Sequence, residues 1–356
     1  MIRIPNSLRT PFHSRTENGN GNSQRQARQK ASLTALAFLA ICGVATACNI
    51  PVFRYALERW KSDTYEVLIF HGQNFDRQAS EPIRRLQAQA DRLGNISMSF
   101  VNLDSMSAEQ SATWKRLGTA AESSDIRNRT PYVVLQTRLR QKPLPIWQGA
   151  LSDFETAGLL ASPARQQIAS RLLTGDSVVW VLLLSENERA NANARAVLKD
   201  AFEQLESRVR IPEGVGLPGS ELFSEIPLLV QFNTVEIEHD APNEVFFRRL
   251  CEQLQPDHDP KSEPFIVPVF GRGRALEVIP GSQLNTTTIE ELTLFLSGPC
   301  SCQVKDQNPG FDLLFSVDWD RELFGEASER PPVRAVSDPQ SSPRMLTIPP
   351  GSKPRR

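Results

Sequence analysis

One order of apolar segments runs twice through the middle of this 356-residue chain, and that repetition limits the folds open to it. The first pass opens with an apolar run at residues 66–71, short enough for a buried strand. Ile83, Leu86, Ala90 and Leu93 follow at helical spacing and share one face. Residues 96–103 alternate as a second strand, and residues 108–117 read as a second helix. Pro131 then opens a strand that pairs, across a basic turn, with residues 144–149. Ile168 and Leu172 mark a closing helix. The second pass repeats this order. Strand 177–184 is followed by a helix carrying Leu198, Phe202, Leu205 and Val209. Strand 228–237 and helix 245–254 come next, then a hairpin of residues 263–270 and 275–279 around Gly271-Arg-Gly-Arg274. A helix carrying Ile289, Leu292 and Leu296 ends the pass. Strands interleaved with helices predict an α/β fold with two units, each a central mixed sheet flanked by helices.

That element order, with a Pro opening each hairpin, resembles the thioredoxin fold over residues 66–174 and 177–298. The resemblance implies that Pro131 and Pro264 are cis and lie beside the loop that follows the first strand. Thiol–disulfide chemistry in that family needs a Cys-x-x-Cys in this loop, where a helix N-terminus lowers the first thiol's pKa. Neither His71-Gly-Gln-Asn-Phe-Asp76 nor Ser185-Glu-Asn-Glu-Arg189 contains a Cys. The resemblance therefore implies two tandem redox-inactive units, a binding or scaffolding body.

Ahead of the repeats, residues 31–53 hold no charged side chain, and Arg25, Arg28 and Lys30 stand just before them. A basic flank, an apolar core and the small residues Ala45-Thr-Ala47 form a secretory signal pattern. Cys48 follows at once, so the stretch resembles a bacterial lipobox, in which that Cys takes the lipid; Ala45 stands where Leu is usual. The rival reading is an uncleaved signal anchor, since these 23 uncharged residues just cross a hydrocarbon core of about 30 Å. On both readings the basic residues 1–30 stay inside and the chain from about residue 49 is exported. The protein is then membrane-anchored and faces the periplasm or the cell exterior. Residues 54–65 become a short juxtamembrane helix or linker, with Tyr55 and Trp60 of the types that sit at headgroup level.

At the far end, residues 325–356 carry seven prolines and few large apolar residues, which predicts a disordered tail. The total charge is −1; a local +5 over residues 1–30 and +3 over this tail leave −9 between them. An acidic body excludes a reader of the phosphate backbone, so no nucleic-acid partner is expected.

The best candidate for chemistry is Cys300-Ser-Cys302, in the extension 299–324 beyond the second unit. In an oxidising compartment such a pair closes a strained, reducible disulfide, or offers two soft thiolates to Cu(I). A bridge with Cys251 or two inert thiols are the plainer alternatives, and zinc would need further ligands from Cys251, His239 and His258. Gly271-Arg-Gly-Arg274 lacks the third Gly of a phosphate loop and reads as a hairpin turn, with Arg272 and Arg274 as an exposed contact point. Asp318, Asp320 and Glu322 form the solvated face of a short helix whose Phe315, Trp319 and Leu323 dock on the second unit. His71, His239 and His258 show no metal or catalytic spacing, and no Gly-x-Ser-x-Gly elbow is present. No catalytic residue and no cofactor is assigned. The reading is a membrane-tethered, redox-inactive thioredoxin-like scaffold with an envelope or membrane-protein partner; the alternative is an envelope thiol or Cu(I) handler acting through Cys300 and Cys302.

Overall fold

A computed structural model describes residues 49–93, 95–117, 131–139, 142–300 and 304–325, all of which belong to one compact unit. Cys48, Cys302, the leader and the Pro-rich tail lie outside the described residues. The first helix, α1 (Val52–Arg59), precedes a sheet of β1 (Tyr65–His71), β2 (Ile96–Asn102), β3 (Tyr132–Leu139) and β4 (Lys142–Ala150). Helix α2 (Glu81–Leu93) connects β1 to β2, α3 (Ala108–Arg116) follows β2, and α4 (Leu151–Thr156) and α5 (Pro163–Leu173) follow β4. The strands lie in the order β2-β1-β3-β4; β1 and β2 run parallel and β3 runs antiparallel to both its neighbours.

The second half takes the same path. Its elements are β5 (Val178–Leu183), α6 (Glu188–Arg208), β6 (Phe232–Ile237), α7 (Val245–Leu254), β7 (Phe265–Phe270), β8 (Arg274–Ala275), β9 (Ile279–Pro280) and α8 (Thr286–Ser297). Strands β6-β5-β7-β8 repeat the parallel first pair and the antiparallel third strand. The expected single strand over 275–279 is broken in two, β8 and β9 both pairing with β7. The extension adds β10 (Phe311–Asp312) outside β8, and α9 (Trp319–Phe324). The chain is thus an α/β protein with two mixed sheets flanked by helices, consistent with thioredoxin-like units.

The two halves are not packed as separate bodies. Each strand sends alternate side chains to opposite faces. Tyr65, Val67 and Ile69 of β1, and Val133 and Leu135 of β3, enter one core together with Val179, Val181 and Leu183 of β5 and Phe265, Val267 and Val269 of β7. Helices α5 and α7 contribute Ile168, Leu172, Phe246, Phe247 and Leu250 to the same core. The connections cross over: α5, from the first half, packs on β5 and β6, while α7, from the second, packs on β4. Glu244, just before α7, even caps α5, its Oε1 accepting the Ala164 N–H at 2.9 Å. The alternate faces build two smaller cores. Phe70, Val134 and Tyr132 meet Trp114 and Leu117 after β2, and Val178, Trp180 and Leu182 meet α1, α6 and α8.

Helix α1 falls within the expected helix or linker over 54–65, but it is buried in the protein body. Every residue from Val52 to Glu58 is buried, as is Trp60, so Tyr55 and Trp60 pack in the protein rather than at headgroup level. The residue types are the same in both settings, since an aromatic ring suits a membrane interface and a protein core alike. Burial includes charge. Arg54 Nε donates to Glu58 Oε1 at 3.0 Å, with both side chains at most 1% exposed. Glu58 also accepts the N–H groups of Phe223 and Ser224 and the Ser224 hydroxyl, each at 3.1 Å. Arg54 in turn donates to the Ser224 carbonyl at 2.9 Å. Burial pulls the Arg54 guanidinium below its usual range, and the Glu58 carboxylate opposes that pull.

The Gly271–Arg274 segment is the expected turn, with φ of +58° at Gly271 and +84° at Gly273. Its arginines are not an exposed contact point; they reach inward. Arg272 donates to the Leu57 and Glu58 carbonyls at the end of α1 and to Asp320 of α9 at 2.7 Å. Arg274 donates to Asp312 at 2.9 Å and to the carbonyls of Asn308, Pro309 and Gly310. Asp312 also binds Lys305 and accepts the Asp63 N–H at 2.7 Å, and its carbonyl accepts the Tyr65 hydroxyl at 2.8 Å. Phe315, Trp319 and Leu323 are buried as the spacing predicts.

Removing the Glu58 carboxylate strands Arg54 in an apolar site, so Glu58→Ala is expected to lower stability by about 3–5 kcal/mol in urea unfolding. The double variant Arg54→Met/Glu58→Leu should regain only part of that loss, because the Phe223 and Ser224 amides then lack an acceptor. Full recovery would show that those contacts contribute nothing. A Cβ on Gly273 would fall 2.2 Å from Phe315 Cε2, whereas one on Gly216, at φ +85°, meets nothing within 4 Å. Gly216→Ala should therefore cost about 1–2 kcal/mol for its backbone alone, and Gly273→Ala a further 1–3 kcal/mol, roughly, from overpacking. Equal losses in thermal unfolding would refute the packing of Phe315 on this turn.

Candidate functional site

Register places each hairpin proline beside the end of its first strand. Phe70 pairs with Tyr132, which sets Pro131 opposite His71; Leu183 pairs with Phe265, which sets Pro264 opposite Leu184. The loops after β1 and β5 therefore lie next to Pro131 and Pro264.

In the second half this position is closed by its own side chains. Asn191, 1% exposed, accepts from the Ser185 N–H at 2.9 Å and the Ser185 hydroxyl at 3.0 Å, and donates back to the Ser185 carbonyl at 2.9 Å. Asn187 caps α6 by accepting the Ala190 N–H at 3.2 Å. Arg195, one turn further on, is gripped by Glu188 and by both oxygens of Glu236 at 2.8–2.9 Å. On the neighbouring loop, the Glu186 N–H donates to the Lys261 carbonyl at 3.0 Å. Glu263, just before Pro264, contacts His258 Nδ1 at 2.7 Å and accepts the Ser282 N–H at 2.7 Å. Partial burial works against its charge, yet the Ser282 hydroxyl and amide and the His258 ring hold the Glu263 carboxyl below the usual carboxylate range.

In the first half the same position is open and aromatic. His71 ends β1, and its ring lies 5.0 Å from that of Phe75 and 6.5 Å from that of Phe100. Phe75 and Phe100 are themselves 6.5 Å apart and nearly parallel, and the Arg77 guanidinium lies 3.6 Å above the Phe100 ring. Asp76 accepts the Gln78 and Ala79 N–H groups at 2.8 and 3.2 Å, turning the chain toward α2. From Arg77 and Gln78 an open groove of about 580 Å³ continues along α2 past Ile83, Arg84, Gln87 and Asp91. It offers an apolar floor, a cation on an aromatic ring and amide groups, the makings of a recognition surface. The sequence carried one signal for it: Phe75 is a large apolar side chain within an otherwise polar loop.

Cys251 and Cys300 are kept apart. Cys251 is in the core shared by the sheets and Cys300 in the core around α1, and no disulfide joins them. Burial pushes the Cys251 thiol far above its ordinary range, which leaves it un-nucleophilic. Cys300 is 1% exposed, and its N–H donates to the Ile50 carbonyl at 2.9 Å. This is half of a short antiparallel pairing centred on Pro51 and Pro299. The Val52 N–H to Gly298 carbonyl bond, 3.0 Å, is the other half. The two prolines occupy the pair that exchanges no hydrogen bonds, where their missing N–H groups are not needed. The further zinc ligands do not assemble either: His258 is held by Glu263, and His239 lies 3.9 Å from Glu186. Among the described residues no three His, Cys, Asp or Glu side chains are grouped to hold a metal.

No family model matches the sequence, and no curated protein matches it. Among solved structures there is a distant match to the human ERp44 zinc-bound form, with a TM-score of 0.20 and 9% identity. It covers 69% of this chain and 58% of that one, so the chain spans less than two thirds of its length. At that score the thioredoxin-like description of this chain stands on its strand order and register.

Proposed function

We propose that this protein is a membrane-tethered, exported binding or scaffolding protein of the cell envelope, built on thioredoxin-like units that perform no thiol chemistry. The observation that carries the reading is the Ser185–Asn191 clasp. It fills, with buried and mutually satisfied polar groups, the position where a reactive thiolate needs exposure and a helix N-terminus. Binding falls to the other half, in the groove beside His71, Phe75 and Arg77, with an envelope or membrane-protein partner. Pro131 and Pro264, in the cis form, fix the loops on either side of these positions.

The tether is the leader, through a lipid on Cys48 or through an uncleaved helix. Since Asn49 is bonded to Ser220 and Ile50, Val52 and Phe53 belong to the protein core, the uncharged stretch left for a membrane is residues 31–48, 18 residues rather than 23. As a helix it reaches about 27 Å, at the short end of what crosses a bilayer, which favours the lipid. Among the described residues no helix is long and apolar enough to cross a membrane.

A disulfide-reduction assay on the purified protein tests this against the thiol-handling alternative. Cys300 is too buried to take a polar replacement, so the variant is Cys300→Ala/Cys302→Ala. The expected result is no turnover above free-thiol background in either protein, and no copper retained after desalting. Turnover or bound Cu(I) that the alanine variant loses, with its thermal unfolding unchanged, would overturn the binding reading.

A further inference from the structure

A strand at the edge of a sheet offers a row of unpaired N–H and C=O groups, which proteins ordinarily blunt with charge, proline or short length. Among the described residues the first sheet ends at β2 and β4, and the second at β6 and, on the far side, at β9 and β10. All but β2 are blunted. Strand β4 carries Lys142, Pro143 and Pro145, and β9 and β10 are each two residues long. On β6, the carbonyls of Gln231 and Ile237 accept from Ser177 and Leu184, so odd-numbered residues bond to β5 and even-numbered ones point outward. Glu236, held by Arg195, puts a charge among them.

Strand β2 is seven residues long, Ile-Ser-Met-Ser-Phe-Val-Asn, with no charge, no proline and no break in its register with β1. The Asn95 carbonyl accepts the Tyr65 N–H at 2.8 Å, and the Leu103 N–H donates to the His71 carbonyl at 2.9 Å. Odd-numbered residues therefore bond to β1, and the N–H and C=O groups of Ile96, Met98 and Phe100 point away from it. No described residue bonds to them. Their side chains pack half-buried toward the shared core, on the side of α2, while Ser97 and Ser99 are exposed on the other face.

We propose that β2 pairs with β2 of a second copy of this chain, antiparallel about a two-fold axis at Met98, joining the first sheets of two chains into one. The strand is complementary to itself in that register. Met98 meets the second copy's Met98, and Ile96 meets its Phe100, in pairs that exchange both backbone hydrogen bonds. The outward groups of Ile96, Met98 and Phe100 are then all satisfied. Apolar pairs lie on the α2 side, and Ser97 meets Ser99 on the other. On α2, Arg84, Gln87, Ala88 and Asp91 line the groove from one helix face. The two-fold axis reverses the second α2, so the Arg84 end of one helix faces the Asp91 end of the other, opposite in charge. His71 pairs with Asn102, at the end of β2, so the ring cluster of His71 and Phe75 stays at the outer end of each joined strand. The pairing goes beyond the binding reading and depends neither on it nor on the tether.

The test measures the mass of the full-length chain by light scattering in dodecyl maltoside micelles, corrected for bound detergent; the expected mass is that of two chains. Met98→Lys and Met98→Glu each set like charges face to face at the axis and should each weaken the dimer at least fivefold. An equimolar mixture of the two should restore it, which misfolded chains would not do. A monomeric wild-type chain, a mass beyond two chains, variants as dimeric as the wild type, or no recovery on mixing would overturn the proposal. Cysteine cross-linking checks the register. The two Cα atoms at position 98 are about 5.5 Å apart, within disulfide reach, whereas those at position 97 lie on the diagonal at about 7–8 Å. Above the wild-type background, mild oxidation should link Met98→Cys at least tenfold more than Ser97→Cys; equal yields would refute the axis at Met98.

Discussion

The constraint on which the rest of this structure depends is that both sheets are apolar on two faces. A strand cannot bury one face without presenting the other, and β5 is buried along its whole length on both. In β1 and β3 the same alternation sends Val67 and Val133 one way and Phe70 and Val134 the other. Each sheet therefore needs cover on two sides, and the two halves supply part of it to each other. Helices α5 and α7 lie where the inner faces meet, each packed against the other half's strands. Separating the halves would expose Phe246, Phe247, Val181 and Val267 at once, at about 1.5–3 kcal/mol for each large side chain. Two units with one recurring topology thus become a single cooperative body.

Covering the outer face of the second sheet brings charge into the interior. Helix α1 supplies Phe53 and Ala56 to that face, but it carries Arg54 and Glu58 in with them. Desolvation of such a pair exceeds its Coulomb attraction unless further hydrogen bonds satisfy both groups, and the Phe223–Ser224 backbone does so for Glu58. Arg165 is a second case, held mainly by carbonyls, with the nearby Glu244 carboxylate favouring its charge. It donates to the carbonyls of Gly158, Leu159 and Leu314 and stacks 4.5 Å from the Phe246 ring. Burial lowers its pKa to about 10, still high enough to keep the charge at neutral pH. These arginines join segments far apart in sequence: Arg54 reaches the loop at residue 224, and Arg165 and Arg274 reach the extension beyond residue 308.

What the sequence discloses here is what depends on local pattern. The alternation of residues 96–103, the helical spacing of Leu198, Phe202 and Leu205, and the glycines of the Gly271–Arg274 turn all correspond to local backbone geometry, and each forms the expected element. What depends on distant partners was not legible. Tyr55 and Trp60 suit a headgroup layer as well as a core, and only the presence of Phe270, whose ring lies 6.4 Å from that of Trp60, decides between them. Arg272 and Arg274 sit in a turn, where long cations ordinarily face water. Their acceptors, the end of α1 and the loop at residues 308–310, are supplied from more than 30 residues away.

The same distinction governs the candidate site. The lack of cysteine after β1 and β5 is plain in the sequence, but it leaves open what replaces the thiol. Side-chain geometry gives the two positions different answers. After β5, Ser185, Asn187 and Asn191 satisfy one another and the start of α6, so the N–H groups that would steady an anion are already in use. After β1, no such clasp forms. His71, Phe75 and Phe100 instead present ring faces, Arg77 covers one of them, and the groove along α2 stays open. Aromatic faces and guanidinium groups attract ligands by area and charge, without a bond being made or broken. The two ends of one recurring topology thus differ: one is closed by polar groups that satisfy one another, and the other has aromatic rings beside an open groove.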